Sequence, residues 1–395
     1  MTTSVLPLHT RESTAVQSRV TAMPWHLAAV VFAATSVIVG LIWDISWHMT
    51  IGRDTFWTPA HLAIYTGGAV AGLASGFEVL RRSFSDRTAR HDSVTVWRIF
   101  HGPLGGWLCI WGAVAMLTSA PFDDWWHDAY GLDVKIISPP HAVLALGFIT
   151  ILAGAVLMAV ANQSRTDDEH ASMAGRAAPW IVAYCNGLVI TMLSIFTTEY
   201  HDRVLMHSAI FYVVSAIVYP YVLVASARNT RLRWPATAAA LVYTVVTCLQ
   251  VWILPLFEGS PLLGPIRTPV THMVPMDFPL LLLPVAIAID LVLRRLAASG
   301  AWVQALAVGV VFTMVHVATQ WPFADFLMSD ASRNAFFRTD NFPYMMPRDW
   351  LKVRGLFEVE PLAVTLRGLA GAFVIAVLSS RLGLAYGGWL RAVRR

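Results

Sequence analysis

The sequence predicts an all-α fold, a polytopic membrane bundle of about ten transmembrane helices, and three observations carry that expectation. Of its 395 residues, 56% are hydrophobic and only 13% are charged, about half the charged share of a soluble chain. The scarce charges sit in clusters separated by apolar runs of about twenty residues, the length of helix that crosses a bilayer. Basic clusters recur on every second turn, as expected when cytoplasmic loops carry the Lys and Arg. A soluble enzyme, a disordered chain and a coiled coil are thereby excluded. The net charge of +4 lies in short loops, where it sets membrane orientation, so nucleic acid is not an expected partner. Cys109, Cys185 and Cys248 each fall inside an apolar run without CxxC spacing, so neither a disulfide framework nor a thiolate metal site is indicated.

The elements follow in order. Residues 1–23 form a polar tail without an apolar signal segment, expected in the cytoplasm. Spans at 24–43, 60–80, 103–120, 139–161, 177–197 and 208–226 build a first membrane domain, 24–226. Spans at 235–256, 278–293, 301–320 and 361–380 build a second region, 227–395. The inner turns hold Arg81, Arg82, Arg87, Arg90 and Arg98, then Arg165 and Arg176, then Arg228, Arg231 and Arg233, then Arg294 and Arg295, with Arg391, Arg394 and Arg395 in the tail. Both termini are thus expected on the cytoplasmic side of a cell inner membrane. A long external loop near 321–360 mixes charge with Phe and Tyr and reads as a docking surface or cap.

The external turns gather acid and imidazole instead. Asp44, His48 and His61 read D-x3-H-x12-H across the first hairpin, and Asp123, His127 and His141 read D-x3-H-x13-H across the next but one. Residues four apart project from one helix face, and Thr58-Pro59 resembles a helix start that aims His61 back at them. Two imidazoles and a carboxylate suit a first-row metal, copper, zinc or iron, with positions left open for a small molecule. The bland alternative is a set of interfacial anchors among an ordinary Trp belt. Against it, an ionisable residue at bilayer depth costs about 2.5 to 3.5 kcal/mol and needs a partner. Arg53 and Asp54 read either as groups that orient the imidazoles or as a solvated ion pair.

The string Asp44-x-x-Trp47-His48-Met49-Thr50-x-x-Arg53-Asp54-Thr55-x-Trp57-Thr58-Pro59-x-His61 resembles the signature of the C subunit of copper membrane monooxygenases, the particulate methane and ammonia monooxygenases. The resemblance covers about residues 20 to 225. It implies copper at Asp44, His48 and His61, and a second site at Asp123, His127 and His141, where the family has Asn in place of Asp123. Met276-Asp277-Phe278, Trp321-Pro322-Phe323-Ala324-Asp325-Phe326 and Phe337-Arg338-Thr339-Asp340 are faintly similar to the A subunit. The resemblance further implies electrons from quinol or an external donor and a separate cupredoxin-type B subunit, since nothing here reads as short alternating strands. An oligomer is compatible with it.

Glu199, His201 and His207 form a further candidate ligand group, or are solvated polar groups at a turn. His316 is expected near Gln320, and Met49, Met206, Met273, Met276, Met345 and Met346 lie on the external side as soft donors or gap fillers. The functional expectation is a copper-dependent membrane monooxygenase oxidising ammonia or a small apolar molecule with dioxygen. The alternative is a non-catalytic copper carrier or assembly factor in the same bilayer.

Overall fold

A computed structural model describes residues 23–52, 57–85, 93–131, 138–165, 173–347, 349–357 and 359–393. It is an all-α bundle. The long helices are α1 (Trp25–Thr50), α2 (Pro59–Phe84), α3 (Leu104–Tyr130), α4 (Pro139–Arg165), α5 (Met173–Phe196), α6 (Ala209–Asn229), α7 (Pro235–Ile253) and α9 (Ala301–Leu327). Shorter α8 (Leu282–Arg295) and α10 (Trp350–Gly355) precede the last helix, α11 (Leu362–Ala392). A two-stranded antiparallel ribbon, β1 (Val94–Val96) and β2 (Phe100–Gly102), joins α2 to α3. Among the described residues, nine helices are long and apolar enough to cross a membrane. The protein is a multi-pass membrane bundle.

Two hydrophobic cores organise it. One is built from α1 to α5, around Val37, Ile38, Met116, Ile151 and Leu188, and the other from α6 to α9 and α11, around Phe211, Tyr219, Tyr243, Ile289 and Phe312. Helix α6 packs with the second half of the chain, chiefly against α11, while α5 also touches α7. Small residues let the hairpins close: a Cβ on Gly147 would meet Met116 and the Gly112 carbonyl, so α3 and α4 touch backbone to backbone. A polar clasp joins the cores. Asn186 of α5 and Asn229 of α6 exchange amide hydrogen bonds at 2.9 and 3.3 Å, and Gln163 of α4 donates to the Asn229 carbonyl at 2.9 Å.

Helix α8 departs from expectation. Its 14 residues span about 21 Å, less than a hydrocarbon core. The span expected from residue 278 begins as extended chain, because Pro275 and Pro279 interrupt helical hydrogen bonding. Extended backbone survives in apolar surroundings only when its polar groups are met by protein, and here neighbouring side chains meet them. Ser46 Oγ donates to the Val274 carbonyl at 2.6 Å, and the Val274 amide donates to Thr50 Oγ1 at 2.8 Å. Gln250 takes both sides of Met276, at 3.0 and 3.2 Å. Leu280 donates to Tyr243 OH and Leu281 to Gln320 Oε1.

The loop expected at 321–360 starts later, because α9 runs on to Leu327. Its irregular part caps the end of α1. The Tyr344 amide donates to the Met49 carbonyl at 3.0 Å, and Leu262 donates to Ile51 at 2.9 Å. Replacing Gln250 with Leu leaves two Met276 backbone groups unmet, each worth about 1 to 3 kcal/mol. The variant is expected to unfold at clearly lower temperature than wild type when both are melted in the same detergent.

Candidate metal centre

The two acid and imidazole motifs sit at the same end of the bundle and are built alike. Asp44 and His48 occupy the last two turns of α1, and Asp123 and His127 the last two of α3. Each helix then stops at a glycine in the left-handed region, Gly52 at φ 91° and Gly131 at φ 89°, which L side chains enter only at a cost. Both glycines lie four residues beyond their histidine. At Gly52 even a Cβ is excluded by the Tyr344 hydroxyl. The returning helices are capped in the same manner. The amide of His61 donates to Thr58 Oγ1 at 3.1 Å, and the amide of His141 to Ser138 Oγ at 3.4 Å. A Ser/Thr-Pro-x-His start thus pins each returning imidazole in the first helical turn.

In the first hairpin Asp44 lies between two imidazoles. His61 Nε2 is 3.2 Å from Asp44 Oδ1 and His48 Nε2 is 3.8 Å from Asp44 Oδ2. One ligand atom from each of the three residues lies within 4.8 Å of the others. Asp44 Oδ1 is buried and makes no hydrogen bond among the described residues. The His48 side chain is 43% exposed. In the second hairpin both imidazoles face one carboxylate oxygen, Asp123 Oδ1, at 3.2 Å from His127 Nε2 and 3.5 Å from His141 Nε2, and among the described residues only the first set gathers its three ligand atoms within 4.8 Å of one another.

Proton accounting at His127 is informative. Its Nδ1 lies 3.0 Å from the Gly131 carbonyl oxygen, which only accepts, so Nδ1 carries the proton. In the neutral ring Nε2 is then a lone pair. It is buried without a hydrogen bond among the described residues and faces a carboxylate oxygen. Two acceptors face each other, an arrangement resolved by a cation between them or by an imidazolium. The hydrogen bond to Gly131 is also the outer contact that typically fixes a metal-binding imidazole.

Arg53 and Asp54 lie outside the described residues. Glu199, His201 and His207 have separate surroundings. Glu199 is exposed. His201 is hydrogen-bonded on both ring nitrogens, to Thr197 Oγ1 and Ser215 Oγ, each at 3.0 Å. Thr197 Oγ1 spends its own proton on the Leu193 carbonyl, so His201 donates to it and accepts from Ser215. No lone pair remains for a metal. His207 stacks on Trp321 and donates from Nε2 to the Trp321 carbonyl at 3.0 Å. His316 lies fully buried between Phe211 and Phe312, while Gln320 is engaged with Leu281 and Met206. The three cysteines are free and buried.

The helix starts at Thr58 and Ser138 are legible in the sequence, whereas Gly52 and Gly131 were not singled out as parts of the site. The signal was present: the repeat extends to D-x3-H-x3-G followed by S/T-P-x-H.

Burial holds the His201 pKa down at about 4 against an ordinary 6.5. The folded state therefore keeps this ring neutral. Its contribution to stability is complete above pH 6.5 and is lost as pH falls toward about 4, amounting to roughly 3 kcal/mol over that window. A His201→Gln variant is expected to show a flatter fall in unfolding free energy between pH 6.5 and 4 when both proteins are titrated with denaturant. Compared with protein-family models, with curated proteins and with solved structures, the chain matches none of them.

Proposed function

We propose that this chain is a copper-dependent membrane monooxygenase or a subunit of one, oxidising ammonia or a small apolar molecule with dioxygen. The observation that carries the reading is the twice-built set of one carboxylate between two imidazoles, with His127 Nε2 and Asp44 Oδ1 left as buried atoms without hydrogen bonds. The donor chemistry fits the group: imidazole and carboxylate hold copper, and three protein ligands leave coordination positions free. Their likeness to the C-subunit signature of copper membrane monooxygenases supports copper over zinc or iron.

His48, His61 and Asp44 would hold one ion, and His127, His141 and Asp123 the other. Bound copper would supply one-electron chemistry and a place for dioxygen. The remaining work belongs to the chain. Asp44 and Asp123 offset the ion's charge at the bilayer edge, where an uncompensated charge is expensive. Gly131 fixes the His127 tautomer through its carbonyl. The half-exposed His48 leaves a flank by which a small molecule arrives from the membrane edge. Trp57 and Trp125, both well exposed, suit the aromatic belt of an interface. In this reading the hairpins face the external side of a cell inner membrane, both termini are cytoplasmic, and quinol or an external donor supplies electrons. A cupredoxin-type B subunit is a separate partner.

The test is metal analysis with electron paramagnetic resonance on protein in nanodiscs. Two copper equivalents are expected in wild type, with about one lost in His48→Ala and one in His127→Ala. Copper-loaded protein with a reductant is then expected to consume oxygen when ammonia or a short hydrocarbon is added. Protein that carries copper but consumes no oxygen with any of these supports the carrier reading instead.

A further inference from the structure

Two voids flank the chain that caps the end of α1, and they differ in kind. One is a cavity of about 320 Å³ whose wall includes Thr268, His272, Arg338, Asp340 and Asn341. The other is an open apolar groove lined by Trp252, Ala335 and Phe336. They are neighbours along two segments of chain: Trp252 of the groove stands three residues before Pro255 of the cavity, and Phe336 two residues before Arg338. The Trp252 indole donates to the Phe336 carbonyl at 3.0 Å, which joins the two sides of the groove. Trp252 also lies near the end of a helix long and apolar enough to cross a membrane, Pro235–Leu256, the level at which Trp sits beside lipid headgroups.

The cavity wall carries two opposite charges that do not pair with each other. Arg338 has its Nε buried without a hydrogen bond, and neither its guanidinium nor the Asp340 carboxylate makes an ion pair among the described residues. The Arg338 backbone is held at φ 56°, a region that L side chains other than Asn and Asp seldom enter. Its amide donates to the Asn334 carbonyl at 2.9 Å and its carbonyl accepts from the Asn341 amide at 3.1 Å, so the turn fixes where the side chain starts. A guanidinium with spare donors suits a phosphate, which it grips with two parallel hydrogen bonds. A carboxylate without a cation suits an ammonium. A ligand that brings one anionic and one cationic group answers both, whereas a simple anion would be repelled by Asp340.

We infer that the cap holds one phospholipid with an ethanolamine headgroup, its phosphate on Arg338, its ammonium on Asp340 and an acyl chain along Trp252 and Phe336. Both aromatic side chains are exposed, and an apolar groove beside a charged cavity has the two-part character of such a molecule. The primary ammonium sets the selectivity. It donates hydrogen bonds to a carboxylate, which a choline headgroup does not, and a glycerol headgroup brings no cation. The site stands apart from the metal reading of the hairpins, although it lies at the same end of the molecule. The cavity wall continues to Val274, the residue that Ser46 and Thr50 of α1 hold.

Native mass spectrometry tests this on the full chain in detergent, stripped of its own lipid and titrated in turn with phosphatidylethanolamine, phosphatidylcholine and phosphatidylglycerol of matched chains. Wild type is expected to bind its first ethanolamine lipid about tenfold tighter than either of the others, the worth of one hydrogen bond to a charged group. Asp340→Asn is expected to bring that preference below about twofold. Arg338→Asn keeps a residue at ease in the left-handed region and is expected to weaken the first bound lipid of all three kinds by about tenfold. Each variant tests one half of the headgroup, so one of them suffices where the other folds poorly. Equal affinities for the three lipids in wild type, or a wild-type pattern in the variants, overturns the inference. Glycerophosphoethanolamine, the headgroup without its chains, is expected to compete only weakly, and competition as strong as that of the lipid overturns the lipid assignment in favour of a soluble zwitterion.

Discussion

A carboxylate set between two imidazoles needs a proton or a positive charge close by, and two hairpins of this molecule are arranged around that need. Asp44 and Asp123 are each set between two imidazoles, at 3.2 to 3.8 Å in the first hairpin and 3.2 to 3.5 Å in the second. At His127 the available proton is already spent on Gly131, so the nitrogen facing the carboxylate has none to give. A shared cation, or a protonated ring, would meet the need of acid and base together.

The same economy of polar groups governs the scaffold. The extended chain before α8 and the clasp between the cores place backbone and amide groups where water is scarce, and the groups named above find protein partners. Ser46 and Thr50, on the α1 turns that carry Asp44 and His48, also hold Val274. The cap is thereby tied to the helix that presents the first candidate site. Tyr344 and Leu262 close over the last carbonyls of α1. A rigid end of α1 matters because two imidazoles and a carboxylate converge only when both helices of the hairpin keep their register.

Much of this was legible in the sequence. Span length and charge spacing gave the all-α membrane class, since a bilayer admits few other solutions. The i, i+4 relation of Asp44 to His48 and of Asp123 to His127 needed only helix geometry. The convergence of His61 and His141 needed the helix starts at Thr58-Pro59 and Ser138-Pro139. What escaped the sequence depends on contacts between distant segments. Nothing local marks Gln250 as the partner of Met276. His201 read as a possible ligand because its saturation by Thr197 and Ser215 appears only when α5 and α6 are packed. Helix α8 was overestimated because apolar composition continues through Pro279, and hydropathy does not register a missing amide proton.

The central claim is that each hairpin presents two imidazoles and one carboxylate to a single metal ion. X-ray absorption at the copper edge tests it most directly, on copper-loaded protein and on the His127→Ala variant that retains only the first hairpin. The account predicts nitrogen and oxygen neighbours only, with the outer scattering of two imidazoles per copper in both samples. A sulfur neighbour, or fewer than two imidazoles per copper, would place the metal on methionines or elsewhere and contradict it.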